Sequence, residues 1–216
     1  MMNTTAIRRC AFGPLIVDYD DRVLTPRPWT LAQSEWAAEL VEELAVGLIV
    51  ELFAGAGQIG LAAAVLSGAD LIQVEADAVA AGYAARNAEA AGWARRTELR
   101  IRPVQSALRP DERFPLMIAD PPYLPTEAVT RWPEDPVNAI DGGPDGLKLV
   151  RACLAVSAAH LEKSGTLLLQ VAGPSQAGRV EACLPVGLAA AEVRTIDSER
   201  AVMRIDAVGP IARSGA

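Results

Sequence analysis

Short apolar runs alternate with segments of helical periodicity along most of this chain. The apolar runs, each of which predicts a buried strand, are residues 48–53, 71–75, 99–101, 116–119 and 166–171. The segments that predict helices, with apolar residues three or four positions apart, are residues 34–45, 58–66, 77–92 and 147–161. Uninterrupted apolar strands fit a parallel sheet covered on both faces. The alternation therefore predicts helices packed on both sides of a central sheet.

Local signals mark the ends of several predicted helices. Ser34 and Asp77 are side chains that commonly cap a helix start, whereas Gly68 and Gly92 follow helices that they can end. Near the end of the chain, residues 192–205 predict an antiparallel hairpin. The predicted fold class is α/β: a doubly wound, Rossmann-like and mostly parallel seven-stranded sheet with a C-terminal antiparallel hairpin. A hairpin that closes such a sheet is typical of class I methyltransferases.

The same pattern divides the chain into three parts. We expect residues 1–30 to be an N-terminal covering segment, residues 31–208 to be the main domain, and residues 209–216 to be a flexible tail. The Pro- and Gly-rich stretch at 132–146 is a long irregular segment within that domain. A loop of this length inside a compact domain is usually functional.

Composition narrows the classes of partner. The formal net charge of −7 argues against a phosphate-rich partner, which normally requires a basic surface. No apolar run approaches the roughly 18 residues that a membrane span needs, so we expect no membrane partner. The three cysteines, Cys10, Cys153 and Cys183, have no metal-ligand or redox spacing. They predict reduced thiols in a cytoplasmic protein without a metal site.

A glycine-rich loop follows the first predicted strand. Residues 55–60 read Gly-Ala-Gly-Gln-Ile-Gly, and Glu75 ends the next predicted strand. Such glycines let the backbone approach a nucleotide, while a carboxylate at that position accepts hydrogen bonds from ribose hydroxyls. The pattern fits a nicotinamide cofactor as well as S-adenosylmethionine. Glu51, which is placed to face the amino-acid end of the latter, favours S-adenosyl-L-methionine.

A rigid tetrapeptide follows the fourth predicted strand. Asp120-Pro121-Pro122-Tyr123 presents a carboxylate, backbone carbonyls and one aromatic ring, and its two prolines have no N–H donors. Transfer of a methyl group to a planar nitrogen needs acceptors on both N–H bonds, which would aim the lone pair and stabilise the developing positive charge. Asp120 and the Pro121 carbonyl can provide them, and Tyr123 can stack on the planar group. We therefore predict these four residues as the catalytic set.

These motifs resemble the HemK/PrmC family of protein glutamine N5-methyltransferases. The resemblance covers roughly residues 12–190 and includes the tetrapeptide, residues 139–147 (Ala-Ile-Asp-Gly-Gly-Pro-Asp-Gly-Leu), residues 23–30 (Val-Leu-Thr-Pro-Arg-Pro-Trp-Thr), and the strand and Gln at 167–176. It implies S-adenosylmethionine-dependent methylation of a glutamine in a protein such as a peptide-chain release factor. The predicted cofactor-binding residues are Glu51, Phe53, Ala54, Gly55, Ala56, Gly57, Glu75, Ser106 and Asp120.

The sequence departs from the family pattern at four places. Asp120 stands where the glutamine enzymes carry Asn, and Phe53 replaces the first loop glycine, as in rRNA guanine-N2 methyltransferases. Ser106 stands where an acid often reads the adenine amine. About 30 residues precede the cofactor domain, so we expect the family's N-terminal helical domain to be missing. An ionised Asp offers only acceptors, whereas Asn also offers a donor. An exocyclic amine of a nucleic-acid base and a small-molecule or peptide amine therefore remain alternative acceptors, and a nicotinamide-dependent oxidoreductase or a non-catalytic binding module remain alternative classes.

Overall fold

The structure is a computed structural model that describes residues 6–209, and it confirms the predicted α/β architecture. The strands of the described residues are β1 (Arg8–Phe12), β2 (Leu15–Tyr19), β3 (Leu48–Leu52), β4 (Asp70–Glu75), β5 (Thr97–Ile101), β6 (Phe114–Ala119), β7 (Leu161–Val171), β8 (Leu188–Asp197) and β9 (Arg200–Ala207). The helices of the same part of the chain are α1 (Leu31–Glu43), α2 (Gln58–Ser67), α3 (Ala78–Ala90), the single turn α4 (Val137–Ile140), α5 (Lys148–His160) and α6 (Gly173–Glu181).

The central sheet has seven strands in the order β5-β4-β3-β6-β7-β9-β8. The strands from β5 to β7 pair in parallel, and β9 runs antiparallel to both β7 and β8. The predicted closing hairpin is therefore confirmed. The chain order reverses between β3 and β6, and in open α/β sheets ligands bind at the carboxyl ends of the strands beside such a reversal.

Alternating residues of each strand fill two apolar cores, one on each face of the sheet. On β6, Met117 packs in the core formed with α5 and α6, whereas Ile118 packs in the core formed with α1, α2 and α3. Both side chains are fully buried. The unbroken apolar runs thus reflect strands covered on both faces, as the sequence indicated.

The predicted helix caps are partly correct. Asp77 accepts hydrogen bonds from the backbone N–H groups of Val79 and Ala80, and Gly68 ends α2 in the left-handed conformation. The prediction for Ser34 is wrong, because α1 begins at Leu31, directly after a short 3-10 turn that starts at Pro28. The Ser34 hydroxyl is instead buried and donates to the Ile59 carbonyl at 2.8 Å, which joins α1 to α2.

The N-terminal segment contains a hairpin that the sequence reading did not identify. Strands β1 and β2 pair antiparallel, and β2 packs on α3. The Asp18 N–H donates to Asn87 Oδ1 at 2.8 Å, and Asn87 Nδ2 donates to the carbonyls of Asp18 and Ala56. Asn87 therefore ties this hairpin to the glycine-rich loop. Of the predicted tail, residues 210–216 lie outside the described residues.

Candidate active site

The loop between β3 and α2 is a strained turn built for close approach. Phe53, Gly55 and Gly57 all have positive φ angles, of 61°, 57° and 81°. A positive φ is rare for a residue with a side chain, and such strain concentrates at functional sites. A Cβ atom on Gly57 would lie 2.7 Å from Gln73 Nε2, whereas a Cβ atom on Gly55 would meet nothing within 4 Å. Gly57 thus faces packed protein and Gly55 faces open space.

Glu75 fixes the loop from the neighbouring strand. At the end of β4, its two carboxylate oxygens accept hydrogen bonds from the N–H groups of Gly55 at 2.7 Å and Asp77 at 2.8 Å. Each oxygen retains a second lone pair that can accept from a ligand hydroxyl. This placement fits the predicted role of Glu75 at a ribose.

Glu51 lies beneath the loop, away from the open space. Its carboxyl oxygens accept from the Gly60 N–H at 2.8 Å and from Gln73 Nε2 at 2.7 Å. Burial raises the pKa of Glu51 to about 8. A Cβ atom at Gly60 would overlap this carboxyl group. The side chain was expected to face a ligand, and the structure instead places it against the first turn of α2.

The predicted acceptor tetrapeptide follows directly after β6. Burial raises the pKa of Asp120 to about 7, and none of the described residues donates a hydrogen bond to its carboxylate. Likewise, no hydrogen bond from the described residues reaches the Pro121 carbonyl. Burial also raises the pKa of the Tyr123 hydroxyl. The site therefore holds two acceptors that have no partner among the described residues.

Helix α6 and the loop that precedes α5 both contact the backbone of the tetrapeptide. Gln176 Nε2 donates to the Tyr123 carbonyl at 2.9 Å, and Gln176 Oε1 accepts from the Ala172 N–H at 2.7 Å. A Cβ atom at Gly142 would lie 2.8 Å from the Pro122 carbonyl, and one at Gly146 would lie 2.5 Å from the Tyr123 carbonyl. Only glycine allows the two loops to pack this closely, which explains the Gly-Gly-Pro-Asp-Gly pattern.

A cavity of about 290 Å³ joins the loop, Glu75 and Asp120. The predicted site residues that line it are Phe53, Ala54, Gly55, Ala56, Glu75, Asp120 and Pro122. Those that do not line it are Glu51, Gly57, Ser106, Pro121 and Tyr123. The structure thus brings the two predicted motifs together at one cavity, which lies at the chain reversal between β3 and β6.

Sequence reasoning missed several of the lining residues. Gln105, and not Ser106, faces the cavity, and the Ser106 hydroxyl is exposed and lies 3.3 Å from the Pro103 carbonyl. Arg22 also lines the cavity, and it pairs with the buried Asp20, which accepts from the Tyr83 hydroxyl at 2.8 Å. No local motif identifies Arg22, because its position depends on the contact of β2 with α3.

The N-terminal covering segment and the long loop at 132–146 contact each other. Arg27, from the Pro-Arg-Pro segment, forms an ion pair with Asp135 of the long loop. Its guanidinium lies 5.7 Å from the ring centroid of Trp29 and 6.0 Å from that of Trp132. Arg200, at the start of β9, lies 3.7 Å from the Trp29 ring centroid. Arg27 thus has a carboxylate partner on the long loop.

Other classes of site find no support within residues 6–209. No group of three or more His, Cys, Asp or Glu side chains there could hold a metal ion. Within the same range, no helix is long and apolar enough to cross a bilayer. The three cysteines are free thiols.

The fold and the cavity define the class of protein. The chain resembles a methyltransferase from Pyrococcus furiosus with a TM-score of 0.67 at 16% identity, over 92% of each chain. It also resembles an RNA methyltransferase from Salinibacter ruber, in complex with S-adenosyl-L-homocysteine, with a TM-score of 0.55 at 18% identity, over 88% of this chain and 97% of the other. The sheet order, the glycine-rich loop and these structures define a class I methyltransferase fold.

Comparison with curated proteins gives the family, although no family model matches the chain. Release factor glutamine methyltransferase of Gloeobacter violaceus is 35% identical over 69% of this chain and 54% of the relative. That of Caulobacter vibrioides is 33% identical over 88% of this chain and 67% of the relative. Ribosomal protein uL3 glutamine methyltransferase of Bordetella pertussis is 30% identical over 70% of this chain and 53% of the relative. The chain belongs to the release factor glutamine methyltransferase family, and it spans about half to two thirds of the length of these relatives.

Proposed function

We propose that this protein transfers a methyl group from S-adenosylmethionine to the side-chain amide nitrogen of a glutamine in a protein, with a peptide-chain release factor as the first candidate. The observation that carries the proposal is the unpartnered Asp120 carboxylate, which opens onto the same cavity as Gly55 and Glu75. Family membership supports the same reaction, because the relatives are named as glutamine methyltransferases.

The residues around the cavity fit S-adenosylmethionine. Gly55 leaves open space above its Cα atom, Glu75 offers lone pairs for ribose hydroxyls, and Gln105 can bond to an adenine edge. When bound, S-adenosylmethionine supplies a methyl group that its sulfonium sulfur has already activated. We propose that Glu51, whose oxygens are bound to Gly60 and Gln73, holds the loop in shape without contacting the ligand.

The acceptor nitrogen has to be oriented, because the lone pair of an amide is delocalised. We expect the Asp120 carboxylate and the Pro121 carbonyl to accept its two N–H bonds, which aims the lone pair toward the cavity. The carboxylate also stabilises the positive charge that grows on nitrogen as the new bond forms. With a pKa of about 7, Asp120 can then take the proton that the methylated nitrogen releases.

The electrostatics of the site favour a protein acceptor over a nucleic acid. Arg27 on the N-terminal covering segment and Arg200 at the start of β9, whose charges act on Tyr123, are paired with Asp135 and Asp197. Neither is a free cation for a phosphate, and the whole chain carries a net charge of −7. A nucleic-acid base remains the second candidate because Asp120 offers acceptors only, which suits an exocyclic amine without a neighbouring carbonyl.

Labelled methyl transfer tests the proposal. The purified protein is incubated with methyl-labelled S-adenosylmethionine and with release factor, ribosomal protein uL3 or ribosomal RNA. We expect the label to enter release factor and to be released by protease. The Asp120→Ala variant, whose glycine-rich loop is unchanged, should transfer no label. Label that is sensitive only to nuclease would favour the base-amine function and refute the glutamine assignment.

A further inference from the structure

A buried glutamine without partners lies next to the acceptor site. Gln170 on β7 is fully buried, and neither its amide nitrogen nor its amide oxygen has a hydrogen-bond partner among the described residues. Buried polar groups in native proteins are nearly always paired. Replacement of such a group by an apolar one of the same shape usually costs no stability. A fully unpaired amide at this place leaves a donor and an acceptor that a group in the site can use.

The sheet register places Gln170 beside Asp120. Ala119 pairs with Leu169 across β6 and β7, so Asp120 and Gln170 are the next residues on adjacent parallel strands. Val202, which lies opposite Gln170 on β9, belongs to the core on the α1 face, as does Leu168. Because side chains alternate along a strand, Gln170 faces α1 at the edge where the tetrapeptide begins.

Other buried polar groups surround the same edge. Gln33, in the first turn of α1, donates from Nε2 to the carbonyls of Ala119 and Leu168 at 3.0 and 2.9 Å. Its Oε1 atom has no partner among the described residues, and the same holds for Nε1 of Trp29 just before this helix. Gln33 and Gln170 thus both leave amide atoms unpaired on the α1 side of this edge.

We propose that Gln170 is a positioning residue: its amide N–H donates to the Asp120 carboxylate when that group is ionised, and so holds the carboxylate in one orientation toward the acceptor. The inference rests on the proposed function, because it assigns Asp120 to the acceptor. The proposal follows from complementary hydrogen-bonding groups on the two side chains. Among the described residues, no donor reaches the Asp120 carboxylate, and Gln170, its neighbour on the adjacent strand, has a donor without an acceptor. Together the pair provides the donor and the acceptor that a single Asn would carry.

The titration of Asp120 can be followed directly, and several charged groups near it contribute to its pKa. Glu51 on β3 and Tyr123 in the tetrapeptide interact electrostatically with it, and Arg22 and Glu75 share its cavity. Carbon-13 NMR of protein labelled at aspartate carboxyl carbons, with Asp120→Asn to assign the resonance, therefore gives the pKa of Asp120 directly. This titration needs no methyl acceptor.

The decisive variant is Gln170→Met, which keeps the shape of the side chain but has no donor. Because a hydrogen bond to a charged group is lost, we expect the pKa of Asp120 to rise by about one to two units. The melting temperature should stay equal or rise, because an unpaired buried amide is removed. An unchanged pKa of Asp120 would overturn the proposal and would mean that the amide does not act on the carboxylate.

Two further arms separate the possible failures. If Gln170→Met does not fold, Gln170→Glu keeps the shape and places a carboxyl group beside Asp120, so an unchanged pKa there would overturn the proposal equally. In methyl-transfer assays, the acid limb of kcat/KM should shift with the NMR pKa in Gln170→Met. The control Ser157→Ala, on a buried helix position across the sheet, should not shift it. A wild-type protein that methylates nothing would refute the proposed function, while the NMR result would still decide the role of Gln170.

Discussion

Two glycines of one loop should respond differently to the same substitution. Gly55 and Gly57 both have a positive φ angle, so Ala at either position is strained by about 1 kcal/mol. A Cβ atom at Gly55 meets nothing within 4 Å and points into open space at the cavity. A Cβ atom at Gly57 would lie 2.9 Å from the Cβ atom of Ala84 and 3.1 Å from its Cα atom, and the backbone of α3 cannot easily yield.

The magnitudes follow from these contacts. For Gly55→Ala we expect the free energy of unfolding to fall by about 1 kcal/mol, which lowers the melting temperature by about 2–4 °C in a domain of this size. For Gly57→Ala, overpacking adds about 1–3 kcal/mol, and the total loss is about 2–4 kcal/mol. In contrast, the new methyl group at Gly55 occupies ligand space, so we expect its affinity for S-adenosylhomocysteine to fall at least tenfold, which is about 1.4 kcal/mol.

Thermal unfolding and calorimetric titration with S-adenosylhomocysteine measure the two effects on the same samples. Gly68→Ala is a matched control, because Gly68 also has a positive φ and open space around its Cα atom but ends α2 away from the cavity. It should lose stability as Gly55→Ala does and keep full affinity. Unchanged affinity in Gly55→Ala would refute the assignment of this cavity to the cofactor.

Three further changes test the acceptor side. Burial alone raises the pKa of Asp120 to about 7, and a hydrogen bond donated by Gln170 would lower it, so kcat/KM should rise with pH along an acid limb at or below about pH 7 that is absent in Asp120→Asn; a pH–rate profile checks this. Gln176→Ala leaves the Tyr123 carbonyl without its donor, so we expect the free energy of unfolding to fall by about 1–3 kcal/mol and turnover to fall as well. Turnover at the wild-type rate would show that Gln176 does not position the tetrapeptide. Asp135→Asn removes the charge that pairs with Arg27 and should raise KM for the protein acceptor while affinity for S-adenosylhomocysteine is retained; an unchanged KM would show that the covering segments do not contact the acceptor.

The sequence was sufficient where structure depends on neighbouring residues. Apolar runs predicted the parallel strands, Asp77 and Gly68 correctly marked helix ends, and the loop at 55–60 identified the turn that lines the cavity. These features arise within one strand or one turn, so a single stretch of sequence contains their cause.

The sequence was insufficient where a side chain acts across the fold. Glu51 was expected at the ligand but points under the loop, because Gly60 and Gln73 approach it only after α2 and β4 pack. Arg27 and Asp135 pair across 108 positions of sequence. Gln170 reads as one more position in an apolar strand, and only the register of β6 and β7 places it beside Asp120.

The measurement that tests the central claim most directly is mass spectrometry of a release factor after incubation with the protein and S-adenosylmethionine. The account predicts one added methyl group on the side-chain nitrogen of a glutamine, which acid hydrolysis releases as methylamine, and no such product with Asp120→Ala. A methyl group found on a different side chain, or equal modification by Asp120→Ala, would contradict the assignment of the tetrapeptide as the site that holds a glutamine amide.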